Sequence, residues 1–382
     1  MQEAMIIEAK RTPIGRYGGA LKHLEPEDLL KPLIHELTDL HEDIPSHIDD
    51  VIIGNTVGNG GNIARKSLLH AGLPQQIPGM TVDRQCGSGL EAINLACRLI
   101  QSRAGSIYLA GGVESVSRAP WKIQKPQSLY EKQPPEIYER APFTPTEYGD
   151  PSMLEAAENV AQMYQISRER QDDWAARSHN LYHQYQSEIV REITPLKVHG
   201  EMLEVDESPK QNITAERLGR LKPVFPEGTV TVGNACPNSD GASLVLVMSE
   251  TKAKELGLIP KLRFVDSEVA GVNPKVLGIG PVPAAERTLE RQGWSVSDLD
   301  WTAFNEAFSS QVLASIDLLS LQEAKVNPYG GALAEGHPYG ASGANLVARL
   351  VTIQKYHLGN KLMAAIGIGG GMGIASLFES VK

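Results

Sequence analysis

Cysteine is scarce in this chain: Cys86, Cys97 and Cys236 are all that 382 residues contain. Three thiols so far apart exclude a disulfide framework and suit a reducing cytoplasm, the expected compartment. Excess positive charge is also missing. The formal net charge is -10, which excludes a general nucleic-acid binder, because phosphate backbones need a basic face. Such a chain can still take an anionic ligand through a local basic patch. No stretch approaches the roughly 20 apolar residues of a membrane span, so no membrane partner is expected. The opening run MQEAMIIEAKRTP lacks the apolar core and cleavage signature of a secretory leader, and the closing FESVK carries no prenylation or peroxisomal signal. Metal ligands are missing as a set. His179 and His183 stand four apart with no acidic third ligand, which predicts an exposed helix face and no metal. The run Gly367-Ile368-Gly369-Gly370-Gly371-Met372-Gly373 has the wrong spacing for a dinucleotide loop.

What remains is the composition of a soluble globular enzyme, 41% hydrophobic and 21% charged. The chain is too long for one small core. Short apolar runs alternate with longer helical patterns, the mark of layered α/β architecture. Strands are predicted at Met5–Ala9, Val51–Gly54, Met80–Val82, Ile107–Ala110, Leu244–Met248, Leu262–Val265 and Ala364–Ile368. A helix is predicted after Cys86, where Leu90, Ile93, Cys97 and Ile100 fall on one stripe. The two ends of the chain echo each other. The runs QCGSGL from Gln85 and YGASGA from Tyr339 each open a helix, and AGGVES from Ala110 and IGGGMG from Ile368 each follow a strand. Repeated units in the same order predict an internal duplication, with halves at 1–260 and 261–382. Between them, at about 120–226, lies a stretch poor in strand-like runs. It predicts an inserted loop domain with helices at Met153–Tyr164 and Arg168–Gln186.

Three residues carry candidate chemistry. Cys86 lies between a predicted strand and a predicted helix, in Asp83-Arg84-Gln85-Cys86-Gly87-Ser88-Gly89. Unpaired N–H groups and the positive dipole end of that helix predict a lowered thiol pKa and a nucleophile. The alternative is a buried structural cysteine. His337 sits in a glycine- and proline-flanked loop, Glu335-Gly336-His337-Pro338. A neutral imidazole there could take a proton from Cys86 or donate to an oxyanion; a structural histidine is the alternative. Asn305 ends the predicted strand Trp301-Thr302-Ala303-Phe304, a usual place for active-site groups in α/β folds. It could equally cap the helix that begins near Ala307. Arg217, Arg220 and Lys222 form a small basic cluster that could meet a phosphate, though solvated surface is the default for such charges.

Together these runs resemble the thiolase family. The resemblance starts at Ala9-Lys10-Arg11-Thr12-Pro13 and passes through Cys86-Gly87-Ser88-Gly89 and Gly111-Gly112-Val113-Glu114-Ser115. It continues through Asn305-Glu306-Ala307-Phe308 and Gly336-His337-Pro338 to Ile368-Gly369-Gly370-Gly371. It implies a duplicated five-layered α/β/α/β/α fold with an inserted loop domain, and an acyltransferase of the acetyl-CoA C-acetyltransferase type. Coenzyme A thioesters would be substrates, with no further cofactor, in the acyl-CoA chemistry of fatty-acid metabolism. Family members are homodimers or homotetramers. Cys86 would carry the acyl group with His337 assisting, and Cys86 and Gly369 would offer backbone N–H groups to the acyl oxygen. Asn305 would hold a water against the second thioester. Met153, Arg220, Lys222 and Cys236 are the residues expected to face coenzyme A.

One departure stands out. Thiolases carry a second cysteine in a Cys-Ile-Gly-Gly-Gly run, and this chain has Gly367 there. Glycine has no proton to exchange, and losing a general base costs a factor of roughly a hundred to ten thousand. Three explanations stand side by side. Cys236 or Glu335 substitutes as base, against readings as a plain serine replacement and a solvated loop charge. Or the acyl group passes to water or another thiol. Or the chain binds coenzyme A without catalysis.

Overall fold

Side chains on successive strand residues point to opposite faces, and here both faces are buried. On the strand Ser239–Ser249, Leu244, Leu246 and Met248 join one core while Val245 and Val247 join another. On Lys361–Ile368, Leu362, Ala364 and Ile366 enter the second of these cores, and Met363 and Ala365 enter a third. Burial on both faces is why the strands read as unbroken apolar runs.

The computed structural model describes residues 2–126, 128, 130, 134–138 and 140–381. Positions 127, 129, 131–133 and 139 of the expected insert, and 1 and 382 of the expected halves, lie outside the described residues. The main strands are Ala4–Arg11 (β1), Asp50–Gly54 (β2), Gly79–Val82 (β3), Ile107–Ser115 (β4), Ser239–Ser249 (β5), Leu262–Gly271 (β6), Trp301–Phe304 (β7), Lys361–Ile368 (β8) and Met372–Ser380 (β9). They run β7-β8-β9-β6-β1-β5-β4-β2-β3 across one mixed sheet. Met5↔Arg263 and Ile6↔Leu262 join its two parts. The main helices are Pro26–Thr38 (α1), Ile63–His70 (α2), Ser88–Gln101 (α3), Met153–Met163 (α4), Arg168–Gln184 (α5), Pro281–Gln292 (α6), Ser309–Leu319 (α7) and Tyr339–Tyr356 (α8).

The three cores order these elements into five layers. α1 and α2 cover the outer face of the first sheet part, α3 and α8 fill the space between the parts, and α6 and α7 cover the outer face of the second. The duplicated α/β/α/β/α fold is therefore what forms. α4 and α5 join the outer core of the second part through Val160, Trp174 and Ala175, as does Ile166 between them.

Glycine pairs the two central helices. A Cβ on Gly89 of α3 would stand 2.6 Å from the carbonyl oxygen of Gly340, and one on Gly343 of α8 would stand 2.4 Å from the nitrogen of Leu90. The echoed glycines thus mark where the two helices cross.

Several expectations are corrected. The glycines of AGGVES do not follow a strand: β4 continues through them to Ser115. They are needed inside it because a Cβ on Gly112 would stand 1.9 Å from the Gly340 oxygen. α4 and α5 end one and two residues earlier than their periodicity predicts, at Met163 and Gln184. His179 is buried, not exposed, and its Nδ1 accepts from the Lys210 N–H at 3.2 Å. β9 has no counterpart among the predicted strands.

Candidate active site

Cys86 sits on a tight elbow between β3 and α3. Gln85 before it has φ +47°, a left-handed conformation that costs a non-glycine residue energy. The elbow is tied on both sides: Ser88 Oγ donates to the Gln85 oxygen at 2.5 Å and accepts from the Arg84 N–H at 2.8 Å. Thr56 Oγ1 donates to the same Gln85 oxygen at 3.2 Å. The β8–β9 turn lies against it, since a Cβ on Gly87 would stand 2.6 Å from the tip of Ile368. The Gly369 N–H acts on the half-buried thiol of Cys86, lowering its pKa. The ring of Phe143 covers Gly369, 2.9 Å from where a Cβ would stand.

The expected lowering of the Cys86 pKa does not occur. Burial pushes the thiol up to about 12, and the nearby Glu114 carboxylate adds to the rise. The N–H groups of Cys86 and Gly369 lower it, but by less. α3 begins only at Ser88, with Gly87 as its cap, so Cys86 stands outside the first turn where the dipole acts.

His337 is buried, and burial pushes its imidazole down to about 4. Its Nδ1 lies 2.6 Å from Ser342 Oγ, and that hydroxyl donates to the Pro338 oxygen at 3.3 Å. With the hydroxyl proton directed at the Pro338 oxygen, Nδ1–H donates to Ser342 and Nε2 carries the lone pair; with it directed at Nδ1, the ring proton moves to Nε2. Nε2 has no partner among the described residues. Asn305 is buried with its Nδ2 likewise unpartnered. It is not a helix cap: Phe308 holds that position in α7, without a side-chain cap bond. The adjoining Glu306 is consumed by structure, accepting from Trp174 Nε1 at 3.1 Å, Ser178 Oγ at 2.7 Å and Asn327 Nδ2 at 2.8 Å.

The other expected positions divide. Cys236 is half-buried on a loop whose N–H donates to the Ala307 oxygen at 3.0 Å. Its thiol is pushed well above the ordinary range, first by burial and next by Cys86, so the two thiols share one neighbourhood. Met153 is half-buried at the start of α4, which Ser152 caps by accepting from the Glu155 N–H at 3.2 Å. Arg220 and Lys222 are exposed on the insert, with Arg220 paired to Glu216. Glu335 is neither a solvated charge nor a free base. It is buried and held by Arg349 at 2.7 Å, with Arg11 at 3.9 Å.

Glu114 is a residue that motif reading passes over. It is fully buried, and its carboxylate accepts from Asn55 Nδ2 at 2.9 Å, Thr56 N at 3.1 Å, Val57 N at 3.1 Å and Gly340 N at 3.0 Å. It thus joins the loop after β2 to the start of α8, and burial pushes it up to about 7. A carboxylate inside an apolar glycine-rich run is its sequence signal. Ser342 and Phe143 also go unremarked, because their importance lies in contacts distant in the chain.

Comparisons with known proteins agree with the fold. The model of the thiolase N-terminal domain matches residues 4–251, and that of the C-terminal domain matches 258–380. The chain is 56% identical over 381 residues to the VraB protein of Staphylococcus epidermidis, provisionally named an acetyl-CoA C-acetyltransferase, covering 99% of each chain. The Staphylococcus aureus N315 counterpart is 52% identical over 382 residues, again covering 99% of each. The crystal structure of the Bacillus anthracis acetyl-CoA acetyltransferase superposes with a TM-score of 0.93 at 37% identity, over 100% of this chain and 99% of that one. Human mitochondrial 3-ketoacyl-CoA thiolase in complex with CoA gives 0.93 at 34% identity, over 100% and 98%. Among the described residues no helix is long and apolar enough to cross a membrane, and no cluster of His, Cys, Asp or Glu could hold a metal ion.

Proposed function

Since the chain belongs to the thiolase family and is on that ground an acyl-CoA acyltransferase, we propose that it works as an acetyl-CoA C-acetyltransferase through an acyl group on Cys86. One observation carries the reading. The Gly369 N–H acts on the Cys86 thiol to lower its pKa, and the His337 Nε2 and Asn305 Nδ2 are buried with no protein partner among the described residues.

The protonation states shape the first step. At neutral pH Cys86 is a thiol and His337 a neutral base. No ion pair waits in the resting site, so deprotonation accompanies attack. The sulfur bonds to the thioester carbonyl carbon as its proton passes to His337 Nε2. The oxyanion sits between the Cys86 and Gly369 N–H groups. The carbon–sulfur bond to coenzyme A then breaks, and the leaving thiolate takes the proton from His337. Met153 and Cys236 would line the pantetheine path, and Arg220 and Lys222 would meet the phosphates at the surface.

The second step divides two readings. Condensation or thiolysis needs a proton handled beside Gly367, where no side chain exists. Cys236, in the neighbourhood of Cys86, is the thiol placed to take that part. The bare Gly367 favours a second reading, in which the acyl group passes to water or another thiol. The halves at 1–260 and 261–382, a cytoplasmic location and a homo-oligomer belong to the same proposal. β3 ends the sheet with Met80 37% exposed, an edge that a second copy would cover.

Intact mass after quenching with acetyl-CoA tests the acyl-enzyme. A single acetyl adduct is expected on the wild type and none on Cys86→Ala. An adduct that survives that substitution would sink the assignment.

A further inference from the structure

Phe143, half-buried on the insert, lies on the turn between β8 and β9. A Cβ on Gly369 would stand 2.9, 3.1 and 3.3 Å from three successive atoms of its ring, and one on Gly370 would stand 3.3 Å from its backbone oxygen. Gly369 is the residue whose N–H acts on the Cys86 thiol. The ring therefore lies beside the nitrogen that meets the sulfur. It is also held in place. The Arg140 guanidinium stands 4.3 Å from the ring centroid, a cation–π contact that orients an aromatic side chain. Asp150 closes the clamp, accepting from Arg140 at 3.1 and 2.6 Å and from the Phe143 N–H at 3.1 Å. Ala141, Pro142 and Pro145 around it are exposed, so no core calls for a fixed ring here. Two other sides of the site are closed as well. Fully buried Ile368 fills the space against Gly87. The Tyr339 ring meets the His337 ring edge-on with centroids 5.2 Å apart, and its hydroxyl donates to Asn238 Oδ1 at 2.7 Å.

We infer that Phe143, clamped by Arg140 and Asp150, is the wall that limits the acyl group taken by Cys86 to short chains of the acetyl class. The inference rests on the acyl-enzyme reading and names its substrate class. With the acyl oxygen on the Gly369 N–H, the carbon chain starts beside that nitrogen, and the ring stands where further methylenes would run. A methyl group ends before the ring. A longer chain must push the ring off Gly369 and open the clamp, because Ile368 is bound into the core and Tyr339 into the loop of Asn238. The transfer itself is unchanged: the same bond to the Cys86 sulfur forms, and the same coenzyme A thiolate leaves. Phe143 acts on the fit of the chain and sets specificity.

Acetyl-CoA and octanoyl-CoA, each offered to the full chain, provide the test, read as the rate at which the Cys86 adduct forms in quenched intact-mass samples. The wild type should take the acetyl group about tenfold faster or more, since even one methylene in a fitted pocket is worth about that much. In Phe143→Ala the ratio of octanoyl to acetyl rates should rise about tenfold or more. A merely structural phenylalanine would slow both thioesters alike, and a ratio left where it was would overturn the inference. Should Phe143→Ala fail to fold, Phe143→Leu carries the test, because it trims the ring and keeps an apolar side chain. The ratio should rise there too, and an unchanged one in the folded variant would again overturn the inference. So would a wild type that takes octanoyl as fast as acetyl. A wild type that forms no adduct with either thioester would instead overturn the acyl-enzyme reading beneath it.

Discussion

A thiol that holds its proton as firmly as Cys86 needs its base aligned at the moment of attack. Ser342 supplies the alignment, by holding the His337 ring through the 2.6 Å contact at Nδ1. Ser342→Ala should slow acetylation of Cys86 up to about a hundredfold, the scale of a misplaced catalytic group. Its rate in rapid-quench mass spectrometry checks this, and an unchanged rate would mean that Ser342 does not hold the ring. At Gly367 a Cβ meets its nearest neighbour at 3.5 Å, an ordinary contact, so a thiol can be added without strain. Gly367→Cys should raise acetoacetyl-CoA formation by roughly a hundredfold or more, the worth of a general base. An unchanged rate in a folded variant would count against the missing-base argument. Cys86, His337 and Asn305 are legible in the sequence because short motifs carry them. Glu114 and Phe143 are not, because their meaning comes from Gly340 and Gly369, which lie far along the chain. The pKa of Cys86 was illegible in a different way. A helix start can be read from the residues, whereas the burial that outweighs it depends on the whole fold.

At the scale of elements, the strands of both sheet parts other than β9 were legible from short apolar runs, and their ends were not. β4 shows why: Gly111 and Gly112 look like a turn, yet they lie inside the strand because β5 crowds the one and α8 the other too closely for a side chain. The crossing of α3 and α8 uses the same device and fixes how the elbow at Cys86 meets the loop of His337. Gly343→Ala would drive a methyl group to within 2.4 Å of backbone that is held by α3. Overpacking of this kind costs about 1–3 kcal/mol. Urea unfolding should show that loss for Gly343→Ala, whereas Gly219→Ala, with nothing within 4 Å of the new methyl, should be near neutral. Equal behaviour of the two variants would mean that the helices can slide apart.

Across the whole molecule, charge is buried where the parts join. Arg11 of β1 binds Glu192 at 2.7 Å and Asp206 at 2.7 Å, both far along the chain, and Arg349 of α8 binds Glu192 at 2.9 Å and Glu335 at 2.7 Å. Glu192, set between the two guanidinium groups, is held below the ordinary carboxylate range despite its burial, whereas burial pushes Glu335 up. The buried histidines behave differently. His337 and His179 are each pushed from 6.5 down to about 4, first by burial. Above pH 6.5 they are neutral folded or unfolded, and their sites stabilise the fold in full. As pH falls from 6.5 toward 4 the unfolded chain takes up protons that the folded chain refuses, and stability drops. Glu114, raised to about 7, acts in the opposite sense: it favours the fold below pH 4.5, and that contribution is lost as pH rises through 7. A difference between variants isolates one group from this sum. His179 lies in α5, where its Nδ1 accepts the Lys210 N–H, a bond that a glutamine oxygen can replace. Between pH 7.5 and pH 5, wild-type unfolding free energy should fall by about 2 kcal/mol more than that of His179→Gln. Urea unfolding at the two pH values measures this, and parallel losses would show that His179 takes up its proton in the folded chain.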